Sequence, residues 1–314
     1  MKHNTHIYVA SKAIEFLRDS INNLQTMTGH PSRANTRPLK AKAKRLQRLM
    51  VSHADTIIEA SWAPDDILND KSRFHTFKLY DKKVLHQPGT NDPQEPVPVP
   101  GTGTVPGTNK LYRGSGGGGL PYKVDHLAAV ISDLSKLRSY NDNFTVRELT
   151  YLYILISHYV VDAHVPMHCD LRDDPPSPTN KTKPGPRSAY FPNSLHGQVE
   201  SLWDRAVTPV AVAEKILVAE TYKDHQKPNA LSPHVTFNIH NKAHTKLIRP
   251  VLIPDGALMK FMISRCAQTY ERSQQIWPPS VPATTYSTKN VTPKATTQIL
   301  ADSIAAVVSV WMSI

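Results

Sequence analysis

Histidine and carboxylate fall at metal-ligand spacing in one short stretch, Ser157-His158-Tyr159-Val160-Val161-Asp162-Ala163-His164-Val165-Pro166-Met167-His168. His158 and Asp162 are four apart, so on a helix they project from one face and reach one metal ion or two adjacent ones. Pro166 turns the chain, and His168 returns toward the same place from outside the helix. His196 and Glu200 repeat the spacing downstream, and upstream Asp65, Asp66 and His75 supply carboxylate and imidazole separated by a loop. His6 opens the first helix. One such pair is as often a structural salt bridge, but four elements in one chain point to bound metal. Fifteen histidines fit that chemistry, since imidazole is the commonest transition-metal ligand.

The elements that must position these residues are helical. Apolar side chains at 7, 10, 14 and 17 share one helix face, with Asn4 and Thr5 as cap candidates before it. A second helix is predicted from Lys123 to Arg138, with Leu127, Val130, Ile131, Leu134 and Leu137 on its buried side. A third runs from about Thr145 to Ala163; its middle, Leu152 to Ile156, is apolar all round, which makes it central. Further helices are expected at about 194–219, 255–276 and 295–312, and the basic run Lys40, Lys42, Lys44, Arg45 and Arg48 falls on another. Strand-like alternation is scarce. The fold class is therefore all-α, as one domain spanning 1–314. It carries a Pro/Gly-rich surface loop at about 84–120 and a second loop at about 170–192.

Composition narrows the function. The 314 residues hold 37 Lys and Arg against 26 Asp and Glu, a formal charge of +11. That favours an anionic partner: nucleic acid, a phospholipid surface or a phosphate ester. Two cysteines, Cys169 and Cys266, form no disulfide framework and no cysteine zinc site. The longest apolar stretch, Ile304 to Ile314, is short of the roughly 20 residues of a bilayer span. The amino terminus lacks the apolar core and cleavage site of a signal peptide, so a soluble, unprocessed chain is expected. Other residues read more plainly. His164 belongs outside the ligand set; His234, His240 and His244 lie in a polar stretch; His53 and Asp55 are helix surface; Trp62 and Trp203 are core; and Cys169 points away from the metal.

The pattern His158, Asp162, His168, with Pro166 two before the last, resembles the zinc-dependent phospholipases C and the single-strand-specific nucleases that share their all-helical, three-zinc fold. His196 and Glu200, the Trp62-Ala63-Pro64-Asp65 element followed by His75, and the Thr5-His6 start extend the likeness in the same order along the chain. The resemblance implies three zinc ions. Asp65, His75, His158 and Asp162 would hold the first, and His168, His196 and Glu200 the second. Asp162 would bridge to a third, completed by His6 and by Met1 through its amine and carbonyl, with His3 as a substitute. The inserted Pro64 leaves Asp65 and Asp66 as alternatives.

With paired zinc ions to polarise the phosphoryl group, acidify a water and stabilise the leaving oxygen, the implied activity is phosphodiester hydrolysis. Asp65 is the catalytic residue that orients or deprotonates the water. Glu200, where the nucleases usually carry Asp, tips the expectation to a phospholipase C acting on phospholipid. The Ala60-Ser61-Trp62-Ala63 element and the basic charge favour a nuclease acting on single-stranded nucleic acid. A zinc-stabilised binding module without turnover is the alternative of another class. No obligate protein partner is implied. The family is typically secreted or periplasmic, whereas the missing signal peptide points to the cytoplasm.

Overall fold

The computed structural model describes residues 3–19, 36–53, 55–68, 74–80, 111–112, 119–136, 143–174, 189–207 and 247–314. Most of the loop expected at 84–120, most of that at 170–192, Met1 and the His234, His240 and His244 trio lie outside them. The described chain is predominantly helical, in agreement with the all-α expectation. In order come α1 (His3–Asp19), α2 (Thr36–Ser52), α3 (Thr56–Asp66), α4 (Leu120–Ser135), α5 (Asn143–Asp162), the single turn α6 (Pro166–Cys169), α7 (Leu195–Ala206), α8 (Leu258–Ile276) and α9 (Pro293–Ser313). Two two-residue strands, β1 (Leu79–Tyr80) and β2 (Leu111–Tyr112), pair antiparallel with Leu79 opposite Tyr112.

Helix α5 is the axis, and α1, α2, α3, α4 and α9 all pack on it. The sequence gives the reason: from Ile154 to Val161 every side chain is within a few per cent of complete burial, so no face is left for water. Helix α9 is the other all-round buried element. Its 21 residues are long and apolar enough to cross a membrane by length and composition, yet 78% of that window is buried inside the protein. Its buried polar groups are matched: the Trp311 indole donates to the Tyr153 carbonyl at 2.7 Å, and Ser309 Oγ accepts from the Val251 amide at 2.9 Å. Such matching places α9 in the core.

Three local features of the helices, of which the first differs from the sequence reading, have physical causes. Helix α1 already begins at His3, so Asn4 and Thr5 lie in its first turn instead of capping it. The cap comes from α7, where the Asp204 carboxylate accepts from the Thr5 amide at 3.2 Å and from the Asn4 side chain at 3.3 Å. A carboxylate at a helix N-terminus satisfies orphan amides and opposes the helix dipole. Pro64 sits inside α3, and the helix closes only beyond Asp66, where the amides of Ile67 and Leu68 both reach the Ala63 carbonyl. Pro166 opens the short α6 as its first residue, the position where a missing N–H costs nothing.

The segment after His75 runs beside the chain leaving α6. The Phe77 amide donates to the His168 carbonyl at 3.0 Å, and Leu79 bridges Asp170 in parallel. Asp170 and Arg172 are buried, so the start of the expected 170–192 loop is an anchored turn: Arg172 grips the Asp170 carboxylate at 2.7 Å and the Trp277 carbonyl at 2.9 Å. Two ligand-bearing stretches, far apart in sequence, are thereby locked side by side.

Candidate metal centre

The Asp162 carboxylate stands at the middle of the cluster, fully buried at the end of α5. Its Oδ2 lies 2.6 Å from His75 Nδ1 and 3.3 Å from His158 Nε2, and its Oδ1 lies 3.4 Å from His168 Nδ1 and 3.6 Å from His6 Nε2. One oxygen thus faces one pair of imidazoles and the other oxygen a second pair. The four-residue spacing does what it promised for His158, while His75 arrives from the extended segment and His6 from α1. The His6 and His158 rings stack with centroids 3.8 Å apart and planes 6° from parallel.

Asp65 borders this group, 3.8 Å from His75 and 4.0 Å from His158. Its side chain is 23% exposed, whereas that of Asp66 is 45% exposed and pairs with His3 at 3.2 Å. Asp65 faces the centre and Asp66 does not. His3 goes with Asp66 and stands edge-on to Trp62, which is half-buried.

A second group forms where α6 meets α7. His168 Nε2 lies 3.1 Å from His196 Nε2, and Glu200 Oε1 lies 3.1 Å from His196 and 3.4 Å from His168. His196 and Glu200 share a face of α7 one turn apart, as the spacing requires. The donor atoms of His75, His158 and Asp162, of His168, His196 and Glu200, and of His6, Asp65 and His158 each lie within 4.8 Å of one another, close enough for each trio to hold one metal ion.

The donor set fits a cation for a reason visible in the hydrogen bonds. His158 Nδ1 is 2.6 Å from the Ser61 carbonyl, which can only accept, so Nδ1 carries the hydrogen and Nε2 turns a lone pair to the Asp162 carboxylate. His196 Nδ1 likewise donates to Asp173 Oδ2 at 2.9 Å, so Nε2 is the nitrogen that faces Glu200 and His168, where the protonated ring donates and the neutral ring offers a lone pair to a metal. A lone pair facing a carboxylate at about 3 Å repels unless a proton or a metal lies between. Burial works against a charged His196, but Asp173 and Glu200 outweigh it and raise its pKa to about 9. His168 is driven the other way by burial, to about 4. Burial would raise Asp162 and Glu200, yet the positive charge around each, the amino-terminal ammonium first and the imidazoles after it, holds both carboxyls well below their usual range.

Every site residue expected from the sequence and described here, from His6 through Glu200, lies in this cluster; Met1 is outside the described residues. His164 belongs to none of the three groups: 2% exposed, it donates from Nδ1 to the Val160 carbonyl at 2.8 Å. The Cys169 thiol points away, to the Ala163 carbonyl at 3.5 Å. Trp203 is core at 1% exposure. Sequence reasoning missed the residues behind the ligands, namely the Ser61 carbonyl, Asp173 and Lys78. None stands at helical spacing from the residue it serves, so no pattern announces it.

No family model matches the chain, and comparison with curated proteins and with solved structures gives no match either.

Proposed function

We propose that this protein is a zinc-dependent phosphodiester hydrolase of the three-zinc helical type, and that its substrate is a phospholipid, which makes it a phospholipase C. The observation that carries the reading is the convergence of five histidines and three carboxylates from α1, α3, the 75–79 segment, α5, α6 and α7 on three adjoining groups. A lone salt bridge needs two residues; a network sharing one central carboxylate suits several ions held close together. His6, His75, His158, His168 and His196 with Asp65, Asp162 and Glu200 would hold the metal. Nitrogen and oxygen donors without thiolate suit zinc, and the resemblance read from the sequence names it.

When bound, paired zinc ions supply Lewis acidity toward a phosphoryl oxygen and toward water. The protein's own residues do the rest. The Ser61 carbonyl fixes the tautomer of His158, and Asp162 spans the two groups. Asp65, the carboxylate at the partly exposed edge, is placed to accept a proton from an attacking water and to orient it. Pro64 does not displace Asp65 from His6 and His158, which speaks against a purely structural metal module.

The nuclease reading keeps one supporting observation: Lys44, Arg45 and Arg48 are exposed along α2, a basic face suited to a polyanion. The deciding experiment gives purified, zinc-loaded protein phosphatidylcholine vesicles and single-stranded DNA in parallel, each with a chelator control. Chelator-sensitive release of diacylglycerol with intact DNA supports the proposal, and chelator-sensitive DNA cleavage with intact lipid replaces it with the nuclease. Activity on neither, with metal bound, leaves the binding module. In the enzyme, Asp65→Asn lowers turnover on the order of 10²- to 10⁴-fold and retains the helical circular dichroism; unchanged turnover refutes the role given to Asp65.

A further inference from the structure

The residues behind His196 form a chain of contacts that the metal reading leaves unassigned. His196 donates from Nδ1 to Asp173 Oδ2 at 2.9 Å, and Lys78 Nζ donates to the same oxygen at 3.0 Å. Lys78 also donates to the carbonyl of Met167, the residue before His168. All three side chains are largely covered, at 10% exposure for Lys78, 12% for Asp173 and 29% for His196. A buried lysine and aspartate are costly to desolvate and are retained where their geometry does something a hydrophobic pair would not.

We infer that Asp173 is the positioning residue of the His168, His196 and Glu200 subsite, holding His196 as the Nδ1–H tautomer with Nε2 turned to the metal position, and that Lys78 anchors Asp173 in turn. The inference rests on the metal reading above. The chemistry is general: a ligating imidazole needs a partner on its far nitrogen to fix its tautomer and rotation and to make it a better donor. His196 needs this more than its neighbours because it is the most exposed imidazole of its trio and sits on α7, outside the helices packed directly on α5. Lys78 joins the three ligand stretches, since it lies three residues after His75, bonds the carbonyl preceding His168 and holds the partner of His196.

The test uses the full chain, with zinc and cobalt(II) titrated against a competing chelator and the imidazole nitrogens of the zinc-loaded protein followed by ¹⁵N NMR. Asp173→Asn keeps an acceptor without its charge; the double variant Lys78→Met, Asp173→Ala removes the pair together and leaves no orphaned ammonium should the single variant fold poorly. The expected result is one ion weakened about 10- to 100-fold, more in the double variant than in Asp173→Asn, with the remaining ions held as in wild type and the His196 tautomer no longer uniform. Wild-type affinity for every ion in both variants, or an unchanged His196 tautomer, overturns the inference alone. A wild-type chain that binds no metal overturns the metal reading and this inference with it.

Discussion

An imidazole ring has two nitrogens and only one can face an ion, so the far-side partner of each histidine decides whether the near side works. His158 finds that partner in a backbone carbonyl and His196 in Asp173. The pairs His158 with Asp162 and His196 with Glu200 were legible because helical spacing writes them into the sequence, and the resemblance supplied the other candidates; their partners were not legible, because the Ser61 carbonyl is a main-chain atom and Asp173 meets His196 only through folding. Asp65 and Asp66 could not be separated by spacing, since adjacent helical residues differ by about 100° and nothing fixed the helix rotation. The pairing of Asp66 with His3 now does, and Asp66→Asn should leave metal stoichiometry unchanged in a chelator titration where Asp65→Asn reduces it or turnover. His164 gives a pH prediction. Burial pushes its pKa down to about 4 from an ordinary 6.5. Between those values the unfolded chain binds a proton that the folded chain refuses, so stability falls as pH drops through that window and is level above it. The full loss from His164 is about 3 kcal/mol, and in the metal-free protein His168, whose pKa is lowered similarly, adds a loss of its own. His164→Gln should flatten part of that slope in denaturant melts taken from pH 4 to 7.

Helices were the most legible elements, and the clearest were those with an apolar face or an apolar middle, α4, α5, α8 and α9. Their ends agree with expectation to within a few residues. Helix α3 was not among the helices expected from the sequence; it accommodates Pro64 because that residue falls near its end, where few backbone bonds remain to be lost. The expected helix at 194–219 ends at Ala206, and the remainder lies outside the described residues. The start of α1 was misplaced because its cap comes from Asp204 on another helix, a tertiary contact that no local motif encodes. Asp204→Ala should therefore destabilise the fold by about 1 kcal/mol, read as a shift in the urea midpoint. Because that first turn carries His6, the same variant should weaken the ion held by His6 before the others in a metal titration.

For the molecule as a whole, the proposed metal binding would couple to the fold by mass action. An ion at 100 times its dissociation constant stabilises the native state by about 2.7 kcal/mol, so chelation should lower the melting temperature and restored zinc should recover it. A melting temperature indifferent to chelator would argue against tight metal binding. The single central core was legible in the apolar runs of α5 and α9, whereas the packing of six ligand-bearing segments around Asp162 was not, since no local pattern states which distant segments meet. The burial of α9 also bears on biosynthesis. Every described ligand has been synthesised by Glu200, yet α1 and α5, which carry His6, His158 and Asp162, pack against a helix that begins only at Pro293. Until that helix is available, the growing chain holds its histidines on a scaffold that lacks one of its two most buried helices. On the proposed metal reading, tight metal capture therefore waits for that helix to pack, and a chain stopped before Pro293 should be metal-poor and more readily degraded by proteases than the full chain.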